Sequence, residues 1–116
     1  MNIILHITDR QQWENSKDNG SYRGDTLDTE GFIHCSTLLQ IVKTANRFFA
    51  HQKDLVLLCI DSDKVQPEIK YEAVAEDELF PHIYGSLNLD AVFQVLDFEP
   101  GTDGLFEIPP EIAQMM

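Results

Sequence analysis

The chain is short of positive charge. Only 8 of its 116 residues are Lys or Arg, against 20 Asp or Glu, so the formal net charge is −12. A field of that sign repels nucleic acid and anionic membrane surfaces as general partners. It still admits a small anionic ligand held locally by backbone N–H groups and a nearby cation; Arg23, Lys43, Arg47 and Lys70 are the candidate cations. Long apolar runs are missing too. The longest, LVLLCI at 55–60, falls far short of the roughly 20 residues a membrane helix needs. The opening MNIILHITDR lacks the basic leader and long apolar core of a secretory signal, so a cytoplasmic protein is expected. Cysteine is scarce, with two in all. Cys59 lies inside the apolar run and Cys35 reads as a small core residue. Two free thiols in a reducing compartment is the simpler reading, and one bridge between them is the other.

Several chemical signatures are absent as well. There is no glycine-rich phosphate loop, no GxGxxG, no CxxC and no HExxH. A metal site from His34, Cys35, Cys59 and His82 is not expected, because adjacent strand residues such as His34 and Cys35 point to opposite faces. Cys35 as a nucleophile is disfavoured on the same grounds as any buried thiol.

What is present suits one α+β domain over residues 1–116. Apolar residues make up 43%, enough for a single core. IILHIT (3–8) alternates as a strand, with Ile3, Leu5 and Ile7 on one face and Ile4, His6 and Thr8 on the other. Asp9 is placed to cap a helix over 10–17 with Trp13 as its buried anchor. Residues 18–31, DNGSYRGDTLDTEG, are polar and rich in turn formers; they read as a loop long enough to be a lid. FIHCS (32–36) reads as a second strand with Phe32, His34 and Ser36 on one face. Leu38, Ile41, Val42, Ala45, Phe48 and Phe49 then recur at helical spacing. TLLQ (37–40) has the form of a capping box at that helix's start, with Thr37 and Gln40 as the reciprocal pair. LVLLCID is apolar on both faces and so reads as central. IKYEAV (69–74) alternates, residues 76–78 form an acidic turn, FPHIYG and AVFQVLDF are extended, and PPEIAQM ends as a helical stub. The element order argues an α+β fold.

Three histidines sit in strand-like segments, each followed two residues later by a hydroxyl on the same face: His6 with Thr8, His34 with Ser36, and His82 with Tyr84. The bland account of each is a partly buried imidazole satisfied by a neighbour. The functional account is a set of imidazoles that hold or protonate a ligand near neutral pH. His34 adds a second point, since Ser36, Thr37 and a helix start follow it, and helix N-termini bind phosphate. Glu72 is the carboxylate to weigh: an exposed partner of Lys70 on the bland account, a cleft carboxylate on the other.

GFIHCSTLLQ, LVLLCID and FPHIYGSL together resemble DUF952, a family of small bacterial proteins defined as a domain of unknown function. The resemblance runs from LHIT to about Val95. That family looks like a compact member of the ADP-ribosyltransferase-like fold, a split antiparallel sheet with flanking helices around a nicotinamide-dinucleotide cleft. The resemblance implies NAD, or a related ADP-ribose compound, as substrate or ligand. It matches His6 to the first-strand residue that meets the ribose. It matches His34, with Ser36 and Thr37, to the nicotinamide pocket. The later-strand position, usually glutamate, falls on His82, with Glu72 before it. On this view His34, His82 and Glu72 are the catalytic candidates, and His6, Thr8, Ser36, Thr37 and Tyr84 bind the ligand. Such a carboxylate matters because loss of nicotinamide builds positive charge on the ribose carbon. Two alternatives stand beside this reading. One is a ligand-binding module without turnover. The other is a phosphoesterase built on the paired motifs HIT (6–8) and HCS (34–36), with two histidines as acid and base.

Overall fold

One strand organises the molecule. The structure, a computed structural model, describes residues 1–75 and 78–116, and in it β4 (Leu55–Asp61) carries six consecutive buried residues. Side chains alternate across a strand, so Leu55, Leu57 and Cys59 enter one apolar cluster while Val56, Leu58 and Ile60 enter the other. The expectation that this run is central and covered on both sides is met. β4 lies between β1 (Ile3–Asp9) and β8 (Val92–Phe98), antiparallel to both. β1 divides the same way: Ile4 goes to the cluster holding Trp13 and Tyr22, Leu5 and Ile7 to the cluster holding Ile41, Phe98 and Phe106.

Helices cover the two faces. Asp9 ends β1 and caps α1 (Arg10–Asn19), its Oδ1 accepting from the Gln12 N–H at 2.7 Å. The helix stops at Gly20, whose φ of 83° suits a residue without Cβ. Trp13 is its buried anchor. On the other face lie α3 (Ile41–Phe48), through Ile41 and Ala45, and α4 (Pro110–Met115), through Ile112.

A second antiparallel sheet runs in the order β3 (Ile33–His34), β6 (Glu78–Tyr84), β5 (Glu68–Ala75). His34, His82 and Lys70 stand side by side across it. The segment 33–36 joins the two sheets. Cys35 donates its N–H to the Pro81 carbonyl at 3.0 Å; one residue later Ser36 exchanges two backbone bonds of 2.8 Å with Leu5 of β1. The fold is thus α+β with antiparallel sheets and a few helices, as the element order suggested. A short ladder of β2 (Ser21–Tyr22) with β7 (Leu87–Asn88) seals the Trp13 side.

Four local expectations need correction. The 18–31 stretch is not one loop: α1 runs on to Asn19, β2 follows, and α2 (Leu27–Glu30) forms a single turn of helix. The third helix starts at Ile41, not after Thr37. Gln40 Oε1 does reach back to the Thr37 N–H at 3.0 Å, but the helix's N-cap is Gln40 itself, with no side-chain cap bond. Residues 37–40 form an isolated turn, Gln40 N–H to Thr37 carbonyl, that mimics helical spacing; its Leu39 is 82% exposed. Phe48, counted on the buried stripe, is 58% exposed. Glu78, read as part of an acidic turn, opens β6; Glu76 and Asp77 lie outside the described residues. Cys35 and Cys59 are buried free thiols in different clusters. Burial pushes both upward, Cys59 to about 11. Among the described residues no helix is long and apolar enough to cross a membrane.

Candidate functional site

A cleft of about 470 Å3 opens where β1, the 33–36 segment and α3 meet, within the size range of small-molecule sites. Leu5–Asp9 of β1 contribute to its lining, as do His34 and Ser36. α3 turns its side to the cleft through Lys43, Thr44, Arg47 and Phe48. The tip of that helix is elsewhere: neither Thr37 nor residues 38–42 line the space. Tyr22, Asp25 and Glu30 come from the stretch read as a lid, and Val74, Glu78 and Phe80 from β5 and β6, two of the three strands of the second sheet.

His6 lies half-buried on β1 with both ring nitrogens engaged. Nδ1 is 2.5 Å from the His34 carbonyl and Nε2 is 2.7 Å from the Tyr22 hydroxyl. A carbonyl only accepts, so Nδ1 carries the proton and Nε2 accepts from Tyr22. Burial pulls the imidazole down from 6.5 to about 4, against the smaller upward pull of the His34 carbonyl. His6 is therefore a neutral ring at ordinary pH. The same polar cluster continues outward. Thr8 donates to Gln12 Oε1 at 2.7 Å, and Gln12 Nε2 donates to Asp25. Burial raises the Tyr22 hydroxyl well above its ordinary value.

His34 is the open imidazole. Its side chain is 40% exposed and its Nε2 lies 3.2 Å from Glu30 Oε1. Phe32 and His82 meet it edge-on, at 4.8 and 5.0 Å between ring centres. Ser36 is buried, donating to Thr44 Oγ1 at 3.3 Å.

His82 belongs to a separate arrangement on the second sheet. Its ring is 3% exposed and stacks on Phe32 at 4.1 Å. Nδ1 sits 2.9 Å from Glu72 Oε1, which also accepts from the Tyr84 hydroxyl at 2.5 Å. An ionised carboxylate only accepts, so Nδ1 holds the proton and Nε2 presents a buried lone pair that has no partner among the described residues. The Tyr84 bond, then the His82 bond, hold the Glu72 carboxyl below its ordinary value; the same bond raises Tyr84. Glu72 does not pair with Lys70, whose Nζ instead sits 4.7 Å over the Tyr84 ring. Glu72, His82 and Tyr84 do not line the cleft.

Of the residues singled out from sequence, His6, Thr8, His34 and Ser36 come together in one cleft. Glu72, His82 and Tyr84 come together beside it, and Thr37 joins neither. Sequence reasoning missed Tyr22, Gln12, Asp25 and Glu30 as cleft residues. Nothing in a turn-rich stretch marks Tyr22 for burial, since its ladder partner Leu87 is far along the chain. Among the described residues the carboxylates lining the cleft are Asp9, Asp25, Glu30 and Glu78, and its cations are Lys43 and Arg47. Lys43 sits 3.4 Å from Glu78, while Arg47 has no carboxylate partner among the described residues and lies over the Phe48 ring at 5.3 Å.

The family described as "Protein of unknown function (DUF952)" matches residues 7–95. The chain belongs to the DUF952 family. The match takes in most of the cleft lining, from Ile7 to Phe80, with Leu5 and His6 just before it. This DUF952 chain is similar to protein CC0527 from Caulobacter crescentus. Against its X-ray structure the identity is 31% and the TM-score 0.87, covering 96% of this chain and 98% of that one. Against its solution NMR structure the identity is 31% and the TM-score 0.79, covering 100% and 97%. No curated protein matches the chain.

Proposed function

We propose that this DUF952 protein is ADP-ribosyltransferase-like and that its cleft binds NAD or a related ADP-ribose compound. The observation that carries the reading is the division of the cleft into two chemically unlike parts. One holds the neutral polar cluster of His6, Tyr22, Thr8 and Gln12 with the Asp25 carboxylate, suited to ribose hydroxyls and a carboxamide. The other holds Arg47 beside the exposed Phe48 ring, suited to a pyrophosphate and the face of a base. A ligand with a sugar at one end and phosphates near an aromatic ring complements both. His34 stands in the cleft with an open ring.

Titration of the isotope-labelled protein with NAD and with ADP-ribose tests this. The expected result is saturable shift changes at Thr8, Tyr22, His34 and Arg47 and heat on mixing. No shift and no heat at millimolar ligand overturns it. A binding module without turnover is the second reading, favoured by one observation: His82, expected to act at the ribose, and Glu72, expected to support it, are tied to each other outside the cleft. The phosphoesterase reading gains less support. It needs two histidines free to trade protons, and both nitrogens of His6 are engaged within the protein.

A further inference from the structure

We propose that the cleft turns its ligand over, with His34 as the base that takes a proton from a hydroxyl nucleophile and Glu30 as the positioning residue behind it. This rests on the dinucleotide reading above and adds chemistry to it.

Of the three strand imidazoles, only His34 is available. His6 has both nitrogens committed, and His82 is sealed under Phe32. Of the four carboxylates that line the cleft among the described residues, three have other work. Asp9 caps α1, Asp25 accepts from Gln12, and Glu78 faces Lys43. Glu30 alone faces an imidazole, 3.2 Å from His34 Nε2. It ends α2, and Gly31, at φ 88°, turns the chain directly into Phe32. Phe32 in turn lies edge-on to the His34 ring. The imidazole is thus held by a carboxylate at one nitrogen and by ring edges at its sides. Because an ionised carboxylate only accepts, the neutral ring carries its proton on Nε2 and keeps a lone pair on Nδ1. A carboxylate behind an imidazole also stabilises the imidazolium that forms when the ring takes a proton.

On NAD the step balances as follows. The C1′–N bond of the nicotinamide ribose breaks, and its electron pair leaves with neutral nicotinamide. C1′ gains a bond to the oxygen of water or of an alcohol acceptor. The proton of that hydroxyl passes to His34, leaving an imidazolium against the Glu30 carboxylate.

Binding of NAD and release of nicotinamide are measured on the same samples, in water and with glycerol added as a hydroxyl acceptor. The wild-type chain is expected to bind and to release. Glu30→Ala and His34→Asn are expected to bind still, while release falls about 100-fold or more, the usual worth of a general base. Added formate is expected to restore part of the release in Glu30→Ala and none in His34→Asn. Nitrogen spectra of the His34 ring are expected to report the Nε2–H form in wild type and a mixture in Glu30→Ala. Binding without release in wild type overturns the turnover proposal and leaves the binding reading standing. Full release in Glu30→Ala, or a loss that formate does not touch, overturns the role of Glu30. No binding in wild type removes the dinucleotide reading and this inference together.

Discussion

The two three-stranded sheets use their faces in opposite ways. The β1–β4–β8 sheet hides apolar side chains on both sides of its central strand. The β3–β6–β5 sheet hides only one. Ile33, Ile83 and Ile69 join the core, while Phe32, His34, Phe80, His82, Lys70 and Glu72 occupy the other face. The first sheet is where the chain gains stability from burial; the second gathers aromatic, imidazole and carboxylate groups on one face, with His34 open and His82 covered by Phe32. The cleft lies where the two kinds of sheet meet, and Ser36 is the residue at which the backbone passes from one to the other.

The sharpest way to break this comparison is to truncate one aliphatic side chain to Ala in each. Leu58 is fully buried at the centre of β4. Leu58→Ala is expected to cost about 3 kcal/mol, within the roughly 2–5 kcal/mol range for such deletions. Val74 on β5 is 50% exposed, and Val74→Ala is expected to cost under about 1 kcal/mol. Urea unfolding of both variants measures the difference. Equal costs would mean that the second sheet is held as tightly as the first.

The regions also titrate differently, and this sets the next effect in size. His6 on β1 is neutral in the fold, its value drawn from 6.5 to about 4 by burial. Between those values the unfolded chain binds more protons than the folded one, so stability rises with pH. The contribution is complete above pH 6.5 and is lost as pH falls towards 4. It amounts to about 3 kcal/mol. Glu72 on β5 works from the other charge state. Its carboxyl lies below its ordinary value because Tyr84 and His82 donate to it. Its contribution is present above the ordinary value of 4.5 and is lost as pH falls through the lower folded one. Unfolding measured from pH 7 to 4 should show the His6 slope in wild type and a flatter curve in His6→Asn. An unchanged slope in that variant would assign the acid sensitivity elsewhere.

The same contrast governs how much could be read from the sequence. β4 and β1 were legible because burial on one or both faces leaves a periodic imprint on residue type, as in LVLLCI and in the alternation of Ile3, Leu5 and Ile7. The site was legible only in part. His6 and His34 stood out because an imidazole inside an apolar strand is unusual. Glu30 did not, because one acidic residue in a stretch holding Asp18, Asp25 and Asp28 carries no periodic signal. Its value comes from α2, a four-residue turn too short to have a pattern, which sets it beside His34. That His82 is covered was not legible, because nothing local tells that Phe32, from the segment just before β3, lies over its ring.

Helix starts give the smallest and most local test, since one follows each sheet's route into a helix. Asp9 leaves β1 with extended dihedrals, φ −74° and ψ 154°, and its carboxylate reaches the Gln12 N–H. That is the geometry of a working cap. Thr37 leaves the 33–36 segment into a separate turn, and the helix begins four residues later behind Gln40, whose φ −92° and ψ −19° are already helical. The Thr37 hydroxyl is therefore not placed to receive a first-turn N–H, although its sequence context is that of a capping box. Asp9→Ala is expected to cost about 1 kcal/mol, the usual loss for a cap. Thr37→Ala is expected to stay within about 0.5 kcal/mol of wild type. Gln40→Ala should cost more than Thr37→Ala, because the Gln40 amide bonds both the Thr37 N–H and the Leu79 carbonyl and so ties the turn to β6. A Thr37→Ala loss as large as that of Asp9→Ala would mean that the helix starts at Thr37 in solution. Its positive end would then lie closer to His34 than the structure places it.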